Sequence, residues 1–216
     1  MKPAIIFDLD VCLARADEAG AQLYEPVFDA VRRANDGAVS DDDLERAFAE
    51  SWRFPFDEVA DRHRFTPAMR DAGFREFGRL EVTAPMRGYP DLHLLRTIPA
   101  RRFLVTSGFR RLQESKVRAL GIAGWFERVY IDAIDEPGPH GKEGVFRELL
   151  RAHELRADEV FVVGDNPDSE IAAGNRLGLT TVQILRPGVP RGPGAAHYVE
   201  GLAELDALVR RRGATP

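Results

Sequence analysis

From Arg102 onward, short apolar runs alternate with stretches of helical periodicity, and few folds accommodate that alternation. Arg102–Thr106, Arg128–Ile131, Val160–Val163 and Thr181–Ile184 read as strands. Arg110–Leu120, Glu143–His153 and Ser169–Leu177 read as helices between them, with Gly121 and Gly178 as stops. Val145, Phe146, Leu149 and Leu150 form one helical stripe. A short strand at His197–Val199 and a helix from about Leu202 to Arg210 follow. At the other end of the chain, Ala4–Leu9 is another apolar run, and it ends in acids. Strands alternating with helices of this length imply an α/β fold with a parallel sheet covered on both faces.

The interval from Ala14 to Met86 differs. It contains no convincing strand. Leu23, Val27, Ala30, Val31 and Ala34 fall at helical spacing before Gly37. Ser40-Asp41-Asp42-Asp43 is a helix start, acidic at the positive dipole end, leading into Leu44, Ala47, Phe48 and Trp52. Thr66-Pro67 is another start, continued by Met69, Gly73, Phe77 and Leu80. A small all-helical domain at 14–86 is therefore expected to interrupt an α/β core formed by 1–13 and 87–216. The chain's 216 residues suffice for one core plus such an insert. Glu136–Gly141 and Arg186–Pro190 read as loop breakers.

Composition narrows the function classes. A net charge of −5 gives no electrostatic case for nucleic acid or an anionic membrane. No window approaches 18 uninterrupted apolar residues, and the N-terminus lacks the apolar region of a secretory signal. The single cysteine, Cys12, excludes an internal disulfide framework and a multi-Cys zinc site. A cytoplasmic protein is expected.

Polar residues follow the strands at their carboxyl ends, the edge where open α/β sheets bind ligands. Asp8 and Asp10 close the first strand, and Thr106, Ser107 and Gly108 the second. Gly164 and Asp165 close the fourth, with Asp168 and Glu170 just beyond, and Lys142 lies before a helix after the third. Carboxylates two residues apart share a strand face and repel unless a cation sits between them; Asp165 adds a third. Hard oxygen ligands in that number suit Mg²⁺, which binds through one or two carboxylates plus substrate phosphate. Thr106-Ser107-Gly108 offers a hydroxyl and adjacent N–H groups to an anion. Taken singly, each feature also has a plain structural explanation as a cap, a turn or a solvated charge. Lys142 stands out because the 30 basic residues comprise 27 Arg and only 3 Lys, namely Lys2, Lys116 and Lys142.

Taken in order, these four features resemble the haloacid dehalogenase-like hydrolase superfamily. Ile5-Ile6-Phe7-Asp8-Leu9-Asp10 matches its first motif, apolar residues followed by Asp-x-Asp. Leu104-Val105-Thr106-Ser107-Gly108 is similar to the second, and Lys142 falls where the third places its Lys. Val162-Val163-Gly164-Asp165 through Glu170-Ile171 resembles the fourth. The resemblance spans almost the whole chain, and the insert is similar to the family's helical cap. It implies a Rossmann-like three-layer core and a Mg²⁺-dependent phosphatase acting on a small phosphorylated metabolite. Asp8 would attack phosphorus, and Asp10 would protonate the leaving oxygen and then activate water. Mg²⁺ would be held by an Asp8 oxygen, the Asp10 main-chain carbonyl and Asp165. Thr106, the Ser107 N–H and Lys142 would hold phosphoryl oxygens. Glu170 is favoured over Asp168 as the supporting acid. Two positions depart from the family pattern: Val11-Cys12 replaces Gly-Thr, and Glu143 rather than Pro follows Lys142. Cys12 reads as a small packed side chain, with no His placed to activate it.

Other activities of the superfamily fit less well. A haloacid dehalogenase needs neither metal nor a second Asp, so Asp10 and Asp165 speak against it. A phosphonate-cleaving relative needs a Schiff-base Lys in the cap, and 14–86 contains none. A phosphosugar mutase shares the core groups and stays open. A phosphoacceptor signalling domain carries its acceptor on a middle strand, whereas this acidic pair opens the chain. A non-catalytic binding member is the bland alternative. Substrate choice would fall to the cap, where Trp52-Arg53-Phe54-Pro55-Phe56 and His63-Arg64-Phe65 are the candidates. For Trp52, Phe54, Phe56 and Phe65 the cap's own core is the favoured place.

Overall fold

The computed structural model describes residues 2–138 and 141–213; Pro139 and His140, within one of the loops read as breakers, lie outside them. Six strands form one sheet: β1 (Ala4–Phe7), β2 (Arg101–Gly108), β3 (Arg128–Ala133), β4 (Val160–Gly164), β5 (Thr180–Ile184) and β6 (His197–Val199). Their order is β3-β2-β1-β4-β5-β6, and every neighbouring pair is parallel. Ala4 of the central β1 pairs with Arg101 on one side and Val160 on the other. The chain winds outward from β1 to β3 and then crosses back to β4. The topological switch therefore lies between β1 and β4, whose carboxyl ends open onto a crevice.

Between β1 and β2 the described chain forms helices: α1 (Glu25–Ala34), α2 (Asp41–Glu50), α3 (Phe56–Arg62) and α4 (Pro67–Phe77). Local sequence sets two of the starts. Ser40 accepts from the Asp43 N–H, with Asp41, Asp42 and Asp43 in the first turn of α2. Thr66 accepts from the Met69 N–H, with Pro67 at the first position of α4. The apolar stripes meet in a cluster drawn from Ala14 to Met86, joined by Phe109 and Leu112. Phe77 stacks on Phe109 with ring centroids 5.0 Å apart, which ties the bundle to the start of α5 (Arg110–Leu120).

Both faces of the sheet are buried, and β1 shows the alternation. Ile5 and Phe7 pack to one side, Ala4 and Ile6 to the other, none more than 1% exposed. On the first side lie α5, through Val117, and α8 (Leu202–Gly213), through Leu202, Leu205 and Val209. On the second lie α6 (Lys142–Ala152), through Val145, Phe146 and Leu149, and the short α7 (Ala172–Arg176), through Ala173. This is the three-layer α/β core with a helical insert after its first strand.

Three local features differ from the sequence reading. β2 runs on past Thr106 to Gly108, so Ser107 and Gly108 sit on the strand rather than after it. Lys142 is the first residue of α6, directly after Gly141 at φ +96°. The helix expected at Ser169–Leu177 is divided: Pro167–Ile171 makes a wide π-turn, and α7 follows.

The turn leaving β1 forms without the family's usual Gly. Val11 adopts φ +58°, and its N–H donates to the Ala14 carbonyl at 2.7 Å. Leu13 and Ala14 donate to the Leu9 carbonyl. A β-branched residue in that region carries about 1–3 kcal/mol of strain. Fully buried Leu9, Cys12, Leu13 and Ala14 hold the turn in place. Cys12 is part of this core, and burial pushes its thiol well up, as a packed rather than reactive side chain requires.

At Gly73 the Phe56 ring packs directly against α4, where a Cβ would stand 2.1 Å from it. Gly73→Ala must displace that ring. It is expected to destabilise the protein by about 1–3 kcal/mol, read as a lower urea midpoint; an unchanged midpoint would show that the bundle yields there.

Candidate active site

The crevice at the switch point is where the acids gather. Asp8 follows β1 and Asp165 follows β4, and Glu170 reaches between them from the π-turn. The three are 7%, 6% and 4% exposed, and one oxygen of each lies within 4.8 Å of the others. Glu170 fits because residue 164 is Gly: a Cβ there would sit 2.6 Å from the Glu170 Cγ. The Asn166 N–H donates to Glu170 Oε2 at 3.2 Å, fixing the side chain. Asp168 is exposed and stands outside the cluster.

Lys142, brought in by the start of α6, binds this group together. Its ammonium donates to Asp8 Oδ1, to Glu170 Oε1 at 2.7 Å and to the Val105 carbonyl at 3.4 Å. Burial pushes the Asp8 carboxyl well above the usual range; Lys142 opposes this, while Glu170 and Asp165 add to it. Asp165 is pushed up to about 7, first by burial and then by Glu170, against Arg53 and Lys142. Burial alone would lower Lys142, but Asp8 and Glu170 more than reverse that and hold it above its ordinary value. Three buried carboxyl groups thus face one buried ammonium, with only the partly exposed Arg53 guanidinium beside Asp165. Hard oxygen donors in excess of the local cations are the donor set a divalent metal ion takes. The cluster can therefore hold such an ion.

Around it lie the other residues singled out in the sequence. Thr106 is 1% exposed, and its hydroxyl donates to Gln113 Oε1 at 3.2 Å. Ser107 Oγ donates to Asp132 Oδ2 at 2.9 Å. The same Asp132 accepts from the Gly141 N–H at 3.0 Å, so β3 ties Ser107 to the residue before Lys142. The Asp10 carboxylate is not in the acidic cluster. It turns to Lys116 Nζ, at 2.9 and 2.8 Å from its two oxygens. Sequence reasoning left Lys116, Gln113 and Asp132 without a role. For Lys116 the rarity of Lys beside Arg was the available signal.

A cavity of about 340 Å³ separates this floor from the helical insert. Asp8, Asp10, Thr106, Ser107, Lys142 and Asp165 line it from the core, and Trp52, Arg53, Phe54 and Pro55 from the insert. Arg53 reaches across, its guanidinium 3.5 Å from Asp165 Oδ2. Phe65 is buried in the bundle core, as expected, and Phe56, buried there too, also borders the cavity. Trp52 and Phe54 serve both places, packing against that core and facing the cavity, with Trp52 stacked on Tyr24 at 3.9 Å. His63, Arg64 and Phe65 are not among the lining residues.

The raised Asp165 has a consequence for stability. Its folded value of about 7 lies above the ~3.9 of an unfolded Asp. Between these values the folded state binds a proton that the unfolded state does not. Stability therefore falls as pH rises through that window and is flat above it. In the presence of a chelator, Asp165→Asn is expected to raise the melting temperature more at pH 8 than at pH 5. An equal change at both would show that Asp165 ionises normally in the fold.

Known proteins resemble this chain over much of its length. A glyceraldehyde 3-phosphate phosphatase of Methanopyrus kandleri is 34% identical over 110 residues, 48% of this chain and 46% of that protein. A phosphoserine phosphatase of Thermus thermophilus is 28% identical over 162 residues, 68% of this chain and 61% of that protein. The chain thus matches less than two thirds of either relative's length. The crystal structure of a phosphatase from Thermococcus onnurineus has the same fold, with a TM-score of 0.62 over 97% of this chain and 98% of that one, at 23% identity. Residues 3–178 match the haloacid dehalogenase-like hydrolases, and with its acids at the switch point and its helical insert the chain belongs to that family of enzymes.

Proposed function

We propose that the protein is a Mg²⁺-dependent phosphatase that hydrolyses the phosphate monoester of a small metabolite through an aspartyl-phosphate on Asp8. The observation that carries this reading is the buried Asp8, held by Lys142 at one oxygen and flanked by Asp165 and Glu170. Two curated relatives named as phosphatases support it. A cavity of about 340 Å³ suits a small substrate. In this reading 1–13 and 87–216 form the catalytic core and 14–86 the cap that excludes water. No helix among the described residues is long and apolar enough to cross a membrane, and a cytoplasmic setting belongs to the same proposal.

Lys142, the Thr106 hydroxyl and the Ser107 N–H hold the phosphoryl oxygens. A carboxylate oxygen of Asp8 attacks phosphorus as the bond to the leaving oxygen breaks. Asp10 passes its proton to that oxygen, and the alcohol departs. Water then attacks the same phosphorus while Asp10 takes its proton. The bond between Asp8 and phosphorus breaks, inorganic phosphate leaves and both carboxyl groups return to their starting states. The Asp8 and Asp165 carboxylates and the Asp10 main-chain carbonyl would hold Mg²⁺, whose charge would offset repulsion between Asp8 and the phosphoryl oxygens. Glu170 keeps Lys142 aligned on Asp8 from the far side.

A phosphate-release screen over phosphorylated metabolites tests this. Turnover should require Mg²⁺ and fall roughly 10³-fold or more in Asp8→Asn. Undiminished release by Asp8→Asn would remove Asp8 as the nucleophile. Halide release from a haloacid without metal would move the activity to dehalogenation. Arg53→Ala should raise KM for the best substrate about tenfold, the loss of one charge-assisted contact, while sparing p-nitrophenyl phosphate. An unchanged ratio between the two would take Arg53 out of substrate contact.

A further inference from the structure

Two of the three lysines in this Arg-rich chain are buried at the candidate site, and each pairs with one carboxylate of Asp-x-Asp. Lys142 on Asp8 is already part of the reading above. Lys116 on Asp10 is not, and the reaction as written makes no use of it. It sits in the middle of α5, 2% exposed, with both Asp10 oxygens in reach. Gln113 lies three residues earlier on the same helical face. Its Nε2 is 3.4 Å from Asp10 Oδ2 and 3.2 Å from the Ser107 carbonyl, while its Oε1 accepts from Thr106. The insert completes the enclosure: Tyr24, 4% exposed and stacked on Trp52, interacts with the Lys116 ammonium.

Asp10 itself stands on the strained turn at Val11, and its side chain is 22% exposed toward the cavity. Among the described residues its carboxylate takes hydrogen bonds from α5 alone. An exposed carboxylate on a turn would otherwise sample several rotamers. A bidentate grip from a buried cation with no freedom of its own removes that choice. A buried ammonium is expensive to keep for packing alone, since an apolar side chain of the same length fills the space without the desolvation.

We propose that Lys116, assisted by Gln113, is the positioning residue of the acid–base step, holding the Asp10 carboxyl in the one orientation from which it serves the leaving oxygen. This rests on the phosphatase reading. It makes a distinction that a purely structural ion pair does not. An alkyl phosphate needs its leaving oxygen protonated, whereas p-nitrophenolate departs as the anion. Loss of Lys116 should therefore penalise the first and spare the second.

Single-turnover release of the leaving group measures the step directly, with Mg²⁺ present and the best alkyl phosphate of the screen set against p-nitrophenyl phosphate. Lys116→Met is expected to slow the alkyl substrate roughly 10²-fold, the ordinary worth of a placed general acid, and the aryl substrate by less than about threefold, with little change in KM. Asp10→Asn should show the same selectivity, and adding Lys116→Met to it should cost nothing further. Equal losses on both substrates, or losses that add fully to those of Asp10→Asn, would overturn the proposal and leave Lys116 a structural residue. If Lys116→Met does not fold by its melting curve, Lys116→Gln is judged by the same criteria. A parent enzyme that releases leaving group from neither substrate overturns the phosphatase reading itself, and Lys116's role with it; that result precedes any substitution, so the two failures are distinct.

Discussion

A single buried ammonium, that of Lys142, holds the centre of this molecule together. Asp8 at the end of β1 and Glu170 on the π-turn after β4 are both out of water, and each carboxylate would repel the other. Lys142 from the start of α6 stands between them. Three segments far apart in sequence are thereby fixed to a common point at the switch between β1 and β4. Removing any one partner would strand a charge in a low-dielectric interior, which costs far more than the pair contributes. The strand register, the π-turn and the absence of a Cβ at Gly164 all serve this junction.

One ammonium does not balance three carboxylates. The excess charge appears in Asp165, which burial and Glu170 push toward neutrality unless a cation arrives. Arg53 supplies part of that cation from the insert, 3.5 Å away and only partly buried. The site thus couples its two halves electrostatically, since the acid that wants a positive charge lies on the core and the guanidinium lies on the helical bundle.

The acidic pair of β1 is divided by its surroundings. Asp8 is enclosed with Lys142, and Asp10, two residues on, turns to Lys116 and remains partly open to the cavity. Two carboxyl groups of the same chemistry thereby acquire different environments, the usual way one site obtains different roles from like residues. The turn that follows the pair is made by Val11 at positive φ, a conformation that its side chain disfavours and the packed neighbours enforce.

Periodicity alone gave the strand and helix order, the parallel sheet and the helical insert, because an apolar run or a stripe is a local property of the chain. It also placed Asp8 and Asp165 at strand ends and Lys142 before a helix, on the edge of the sheet where the fold brings them together. The aromatic segment of the insert was legible only in part. Phe65 was readable as core, but the double duty of Trp52, Phe54 and Phe56 depends on where the bundle meets the sheet. Lys116, Gln113 and Asp132 could not be assigned, because each acts on a partner carried by another element. Lys116 is more than 100 positions from Asp10, and nothing in helix α5 announces which of its faces looks across the crevice. The sequence determined which groups stand at the edge of the sheet. Tertiary structure alone decided which of them share a charge, because burial and pairing are properties of the assembled interior and not of any segment.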